Sequence, residues 1–421
     1  MIVPFLFSYV TSEPMRDLWA FGEMLAVARK NKFPLIAKEE YFDAVSSKDF
    51  FDETTKYKEF RYIYNNVDEI EHYAFPKKIE EGLIEEHNDS INDMFLYLLS
   101  ERCEVFEDWF NSVIDEIEKK NNDEISAFFS VPSSQIFSFR KVASERGIKI
   151  ICFDVGLFRM PVYTNTMYWS LSRLGSADSE KDIAERFGNF SAEVQKTKLL
   201  TKRQILALFL KEDYFKYLDS SDDPPEFEIG VACSYGYYAP YLSETHYNDE
   251  ELLYRTNRVY KQNEITVRLH PNDPAKSAYP FLIDNYDNSS NSTEFVLKCK
   301  RVASIASNVS IEAAYWGRAS YVLKASHVRY KAIKDLRQKT EGVIDDKYLN
   351  FYAFCVLTPF EFLRDIDYIN WWLSEPTEME IYNRHFEYYL EKQGLKRNLF
   401  NFEDKEGISI IRDMRVNKKT K

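Results

Sequence analysis

Two short segments in the second half of the chain carry residue types that can hold an anion: RLHPND from Arg268 to Asp273, and SIASNVSIEAAYWG from Ser304 to Gly317. In each, polar residues stand where an apolar, strand-like run ends. Open α/β sheets gather their ligands at the carboxyl ends of strands. His270, fixed by the following Pro271, can turn an N–H toward a phosphate oxygen and adds charge when protonated. Its structural alternative is a His hydrogen-bonded at a strand end. Arg268 beside it carries a permanent charge. Ser304, Ser307, Asn308 and Ser310 run from a strand end into a helical pattern, and a helix start offers unpaired N–H groups to a phosphate. Asn308 or Ser310 would serve equally as an ordinary N-cap. Glu312 then either stabilises the helix start electrostatically or accepts hydrogen bonds from ribose hydroxyls.

Further acid/base candidates lie elsewhere. Asp154 directly follows the apolar run IKIICF, where a carboxylate could act as general base or simply form a turn before Gly156. Arg159, five residues on, could neutralise it or bind an anionic substrate. Glu244, in the stretch that also holds His246 and Asp249, is a further substrate-binding candidate. No Ser-His-Asp spacing, HExxH or Cys/His cluster is present, so no metal or other cofactor is expected.

The elements that must position these residues follow α/β logic. Ile2 to Val10 reads as a strand, with a helix starting near Pro14. Tyr41 to Asp89 reads as an irregular, charged insertion with short helices, and Ile91 to Lys120 as one long helix or two. Glu124 to Val131, Ser133 to Arg146 and Ile148 to Phe153 form a strand–helix–strand unit of a parallel sheet. Phe153 to Ser170 reads as loop, followed by helices over Asp178 to Phe187 and Ala192 to Tyr217. Ser220 to Pro225 (SSDDPP) reads as a linker.

The second half repeats the pattern. Strands are expected at Phe227 to Cys233, Ile265 to Leu269, Glu294 to Leu297, Val302 to Ala306 and Ala319 to Leu323. Helices are expected at Asp249 to Val259 and Val309 to Trp316, and beyond Lys324 the pattern turns helical. The layout predicts an N-terminal α/β domain over 1–220, a C-terminal α/β domain over 226–375, and a helix with a basic tail over 376–421.

Composition narrows the classes. With 421 residues, two domains are the natural expectation. Only 12 Gly accompany 29 Tyr and 32 Phe, and neither GxGxxG nor GxxxxGK[ST] occurs, which removes the Gly-loop phosphate devices. The aromatic excess suits either sugar-stacking surfaces or core packing. A net charge of −13 argues against nucleic-acid binding, which needs a basic field. Lys196 to Lys211 and Arg415 to Lys421 are local basic patches, read as solvated surface or as weak contact with an anionic membrane. Five scattered cysteines fit a reducing compartment. The start, MIVPFLFSYV, lacks a basic n-region and a cleavage site, and no apolar run reaches the ~18 residues of a membrane span. A cytoplasmic location is expected, at most at the inner face of the membrane.

His270-Pro271 after a strand, followed by the Ser-rich strand end and SIEAAYWGRASYVL, resembles the C-terminal half of GT-B glycosyltransferases. More narrowly it resembles the bacterial capsule and O-antigen transferases that use CMP-activated Kdo or sialic acid, which carry an HP motif and a Ser/Thr motif around the nucleotide phosphate. FDVGLFRMPVYTNT is similar to their E-(D/N)-G-hydrophobic-(L/F)-R segment. The resemblance spans Ile148 to Leu323. It implies a GT-B fold: two Rossmann-like domains facing a cleft, with a helical C-terminal tail. It also implies that His270 and Ser307 contact the donor phosphate, Glu312 the ribose, and that Asp154 takes the place of the acidic N-domain residue.

Two departures bear on chemistry. The acidic pair that follows the strand corresponding to Phe227–Cys233 in the Kdo transferases is SYGYYAPY here, with no carboxylate until Glu244. Asp154 also replaces a longer Glu. The implied activity is sugar transfer from a nucleotide donor, a CMP-sugar favoured, to a bacterial surface-glycan or lipid-linked glycan acceptor. An epimerase or phosphotransferase of related fold, or an inactive glycan-binding scaffold, is the alternative.

Overall fold

Strands buried on both faces must be apolar throughout, since a parallel sheet is covered by helices on either side. The run Ile2–Leu6 meets that condition with every residue buried and forms β1. The computed structural model describes residues 1–8, 18–46, 70–234, 248–270, 283–338, 344–401 and 404–419. These divide into two units. The first comprises Met1–Asp154, Trp169–Arg173 and Glu361–Trp371; the second comprises Val155–Tyr168, Leu174–Phe360 and Trp372–Lys421. The chain is α/β, with a Rossmann-like parallel sheet in each unit.

In the first unit β1 is joined by β2 (Leu35–Lys38), β3 (His72–Phe75), β4 (Ala127–Ser130) and β5 (Lys149–Val155), in the order β3-β2-β1-β4-β5. All four pairings are parallel. The expected strand–helix–strand unit is β4, helix Phe137–Glu145 and β5. β3 lies in the segment expected to be irregular. The long pattern from Ile91 is two helices, Ile91–Ser100 and Glu104–Asn121. They part where the Cys103 backbone turns extended and its N–H donates to Ser138 Oγ at 2.8 Å. Aromatic rings fill this core: Phe5 stacks on Phe139 at 4.0 Å, with Phe106, Phe110 and Phe128 around it.

The remaining strands are β6 (Thr166–Ser170), β7 (Ile229–Ala232), β8 (Ile265–Arg268), β9 (Arg301–Ser304), β10 (Ala319–Val322) and β11 (Leu357–Pro359). The second unit's sheet runs β10-β9-β7-β8, parallel throughout. Within the segment expected as loop, β6 is a strand, and it pairs antiparallel with β11.

Glu294–Leu297, expected as a strand, lies inside helix Ser292–Lys298. Asn291 caps that helix by accepting from the Glu294 N–H at 3.0 Å. Three apolar residues in a row do not distinguish strand from helix by periodicity, and the cap decides. The helix expected over Ala192–Tyr217 is broken, because a capping box formed by Thr201 and Gln204 restarts it as Lys202–Phe209.

Ser220–Pro225 lies within the second unit, held by Arg203 on Ser221 Oγ at 3.2 Å and Arg318 on the Ser221 carbonyl at 3.2 Å. Glu378–Gln393 and Asp404–Lys419 are helices of that same unit. Arg415, expected in a basic tail, is instead 3% exposed and donates to the Ala207 carbonyl at 2.8 Å.

Candidate functional site

The second sheet reverses its direction of growth beside β7. The chain moves from β7 to β8 on one side, then crosses to β9 and β10 on the other. The carboxyl ends of β7 and β9 therefore flank a topological switch point, the address where open α/β sheets bind ligands.

The serine segment sits at that address. Ser304 closes β9, and its buried hydroxyl meets Ser310 Oγ at 2.7 Å while accepting from the Ser307 N–H at 3.0 Å. Ser307 caps helix Asn308–Tyr315, its hydroxyl accepting from the Val309 N–H at 3.3 Å. Ser304 and Ser310 are thus spent on shaping the turn. The positive end of the helix is what the turn presents. Asn308 Oδ1 accepts from the Tyr168 hydroxyl at 3.0 Å, and Tyr352 donates to that same hydroxyl at 3.0 Å.

His270 follows β8 and is half-buried. Arg268 closes the strand, and its Nη1 reaches Asp287 Oδ2 at 2.5 Å and the Ser289 carbonyl at 3.0 Å. Asp287 is 1% exposed, so the Arg268 charge is already matched inside the protein. Glu312 is 2% exposed and faces inward. Its Oε1 accepts from Tyr163 at 2.8 Å and Thr293 at 2.7 Å, and the Tyr163 hydroxyl in turn accepts from the Trp316 indole at 2.9 Å. Burial, then the Glu312 charge, pushes the Tyr163 hydroxyl well above its ordinary pKa, so it stays a donor.

Sequence reasoning missed this Tyr163–Thr293–Trp316 network. It also missed His327, which packs edge-on to Tyr168 at 4.6 Å. Both His327 ring nitrogens are sealed from solvent, and burial lowers the imidazole pKa to about 4.

The first unit has its own switch point, between β1 and β4. There Ser134 Oγ accepts from the Phe7 N–H at 2.9 Å, linking the two strand ends. Ser8, Ser133 and Gln135 are buried beside it, and the Gln135 amide nitrogen has no hydrogen-bond partner. Asp154 is half-buried at the carboxyl end of β5 and is the last residue of the first unit's opening segment; Arg159 is exposed and belongs to the second unit. Glu244 and His246 lie outside the described residues. Among the described residues no three His, Cys, Asp or Glu side chains gather as a metal site, and no helix is long and apolar enough to cross a membrane.

No protein-family model matches the chain, and no curated protein matches it by sequence. Solved structures do. The beta Kdo 2,7 transferase KpsC of Thermosulfurimonas dismutans aligns at 13% identity and TM-score 0.34, over 56% of this chain and 78% of that one. A UDP-glucose:anthocyanidin 3-O-glucosyltransferase in complex with UDP aligns at 10% identity and TM-score 0.32, over 99% of each chain. The UDP-GlcNAc 2-epimerase of Methanocaldococcus jannaschii aligns at 10% identity and TM-score 0.29, over 82% of this chain and 96% of that one. The functional reading rests on the chain's own residues.

Proposed function

We propose that this chain is a glycosyltransferase that takes a sugar from a nucleotide-activated donor. The observation that carries the reading is the switch point of the second sheet. There Ser304, Ser307 and Ser310 build a helix start at the end of β9, with His270 following β8 on the other side of β7. A phosphate on the Asn308–Tyr315 helix start receives backbone N–H groups and the dipole, and His270 adds a donor. In transfer, negative charge grows on the leaving phosphate as the sugar–oxygen bond breaks. Groups fixed in advance stabilise that charge more than they stabilise the bound donor.

Asp154 is the proposed general base for the acceptor hydroxyl, and the serine-lined switch point of the first unit the acceptor side. Arg159 and Glu244 are proposed to contact substrate. Arg268 and Glu312 are proposed to support the donor site through Asp287 and Tyr163, which hold them in place. The resemblance of the HP and Ser-rich segments to the capsule and O-antigen transferases supports a CMP-sugar donor and a surface-glycan acceptor. A carboxylate base activating the acceptor is the arrangement of an inverting enzyme.

The test is a thermal-shift and calorimetric screen of CMP, UDP and GDP, followed by transfer assays with the sugars of whichever nucleotide binds. CMP is expected to raise the melting temperature, and His270→Ala to abolish transfer with the fold intact. Wild-type turnover in that variant would remove His270 from the donor site. Stabilisation by none of the three nucleotides would leave the glycan-binding scaffold as the reading.

A further inference from the structure

The amino ends of the second sheet, opposite the switch point, carry a second concentration of charge. A cavity of about 460 Å³ opens there, lined by Pro225, Glu228, Lys300, Arg301, Arg318 and the residues flanking Arg318. That volume lies within the usual range for small-molecule sites. Glu228 is its lining carboxylate, and it is already engaged, with Arg301 at 2.5 Å and Lys300 at 3.7 Å.

Two further cations lack such a partner. Arg318 donates through Nη2 to the Ser221 and Leu297 carbonyls, both at 3.2 Å. Its Nε is buried with no acceptor, and no carboxylate among the described residues lies at ion-pair distance, the Asp222 charge acting on it only from farther off. Burial correspondingly lowers its proton affinity. Lys202 stands over Gly317: a Cβ added there would lie 2.9 Å from its ammonium. Gly317 has φ +72°, a backbone state that suits glycine and brings the chain close beneath that ammonium. Lys202 too forms no ion pair among the described residues. Partly buried cations without a direct ion-pair partner are costly, and a bound anion offsets that cost.

We propose that this amino-end cavity binds a small soluble molecule bearing phosphate groups, with Arg318 fixed by its two carbonyls as the anchor and Lys202 and Lys300 as mobile cationic contacts. The site is separate from the donor site, since it lies at the opposite ends of the same strands. It does not depend on the glycosyltransferase reading.

The probe is inorganic pyrophosphate, titrated calorimetrically into the full chain, with amide exchange recorded on the same complex. Protection is expected at residues 299–301 and 316–319. Lys202→Glu and Lys300→Glu lie at the surface and keep the fold; each should weaken binding by about tenfold, with a larger loss in the double variant. Arg318→Gln should do the same if it folds, checked by its melting temperature. His270→Ala should leave the protection at residues 299–301 and 316–319, and the binding that depends on Lys202 and Lys300, unchanged. Undiminished binding in the double lysine variant, loss of that protection in His270→Ala, or no binding at millimolar pyrophosphate would each overturn the proposal. So would binding to phosphatidate-containing vesicles without binding to pyrophosphate, which would make the ligand a membrane lipid.

Discussion

The Tyr163 hydroxyl donates to Glu312 Oε1 across 2.8 Å, joining residues 149 positions apart in the chain. The bond ties helix Asn308–Tyr315, whose N-terminus is the proposed phosphate contact, to the segment that follows β5. A helix that receives an anion must not recoil from it, and a buried carboxylate gripped by two hydroxyls is one way to prevent that.

Tyr163→Phe removes a donor from Glu312 and the acceptor of the Trp316 indole N–H at once. Leaving buried polar groups short of partners should cost about 2 to 3 kcal/mol, read as a lowered urea midpoint. Glu312→Gln keeps the shape and should cost less. An unchanged midpoint in Tyr163→Phe would show that the network does not secure the helix.

Arg364 holds Glu23 through two bonds of 2.7 Å each, and Glu23 is 1% exposed. Arg364→Ala strands a buried carboxylate and should destabilise the first unit by about 3 to 5 kcal/mol. The double variant with Glu23→Gln should recover part of the loss. A double variant no more stable than the single one would argue against an electrostatic cause.

Gly156 donates its N–H to the Thr166 carbonyl at 2.8 Å. A Cβ there would meet the Thr166 carbonyl carbon at 2.6 Å and oxygen at 2.7 Å. Backbone atoms cannot swing aside, so Gly156→Ala should cost about 1 to 3 kcal/mol. Gly188 has open space around its Cβ direction, and Gly188→Ala in helix Ala177–Glu193 should be neutral or slightly stabilising. Equal melting temperatures for the two variants would contradict the packing argument.

Burial lowers the pKa of His327 to about 4 and that of His385 to about 3, from an ordinary 6.5. Below pH 6.5 the unfolded chain takes up protons that the folded chain refuses, so stability falls as pH drops through that window. Between pH 6.5 and 5 the two should together remove about 3 kcal/mol. His327→Gln should flatten the pH dependence of the urea midpoint between pH 7 and 5; a profile as steep as wild type would exclude this imidazole as a cause.

Much of this was readable beforehand for physical reasons. β7, β8, β9 and β10 are short apolar runs bounded by polar residues; the helix after β9 starts where expected, but its cap is Ser307 rather than Asn308 or Ser310, because the Ser307 hydroxyl is the one that accepts from the Val309 N–H. The serine segment and His270 were legible because they stand at such boundaries. Other features were hidden. β6, in an aromatic stretch with threonines, lacks the apolar run of a buried strand, and its role depends on β11 far along the chain. Arg268 looked available for a ligand because Asp287, nineteen residues on, carries no local sign of pairing with it. Glu312 could not be resolved without knowing where Tyr163 and Thr293 lie. The aromatic excess, open to two readings in sequence, is spent in the first unit on packing such as the Phe5–Phe139 stack.

The make-up of the first unit has a consequence for biosynthesis. Its closing segment, Glu361–Trp371, is translated only after most of the second unit. Arg364, the partner of buried Glu23, arrives with it. Folding one domain at a time from the amino terminus, the usual order on the ribosome, cannot complete this unit. The unit is complete only when the late segment arrives, and a message cut short before Arg364 would release a first unit whose buried Glu23 carboxylate has no guanidinium to hold.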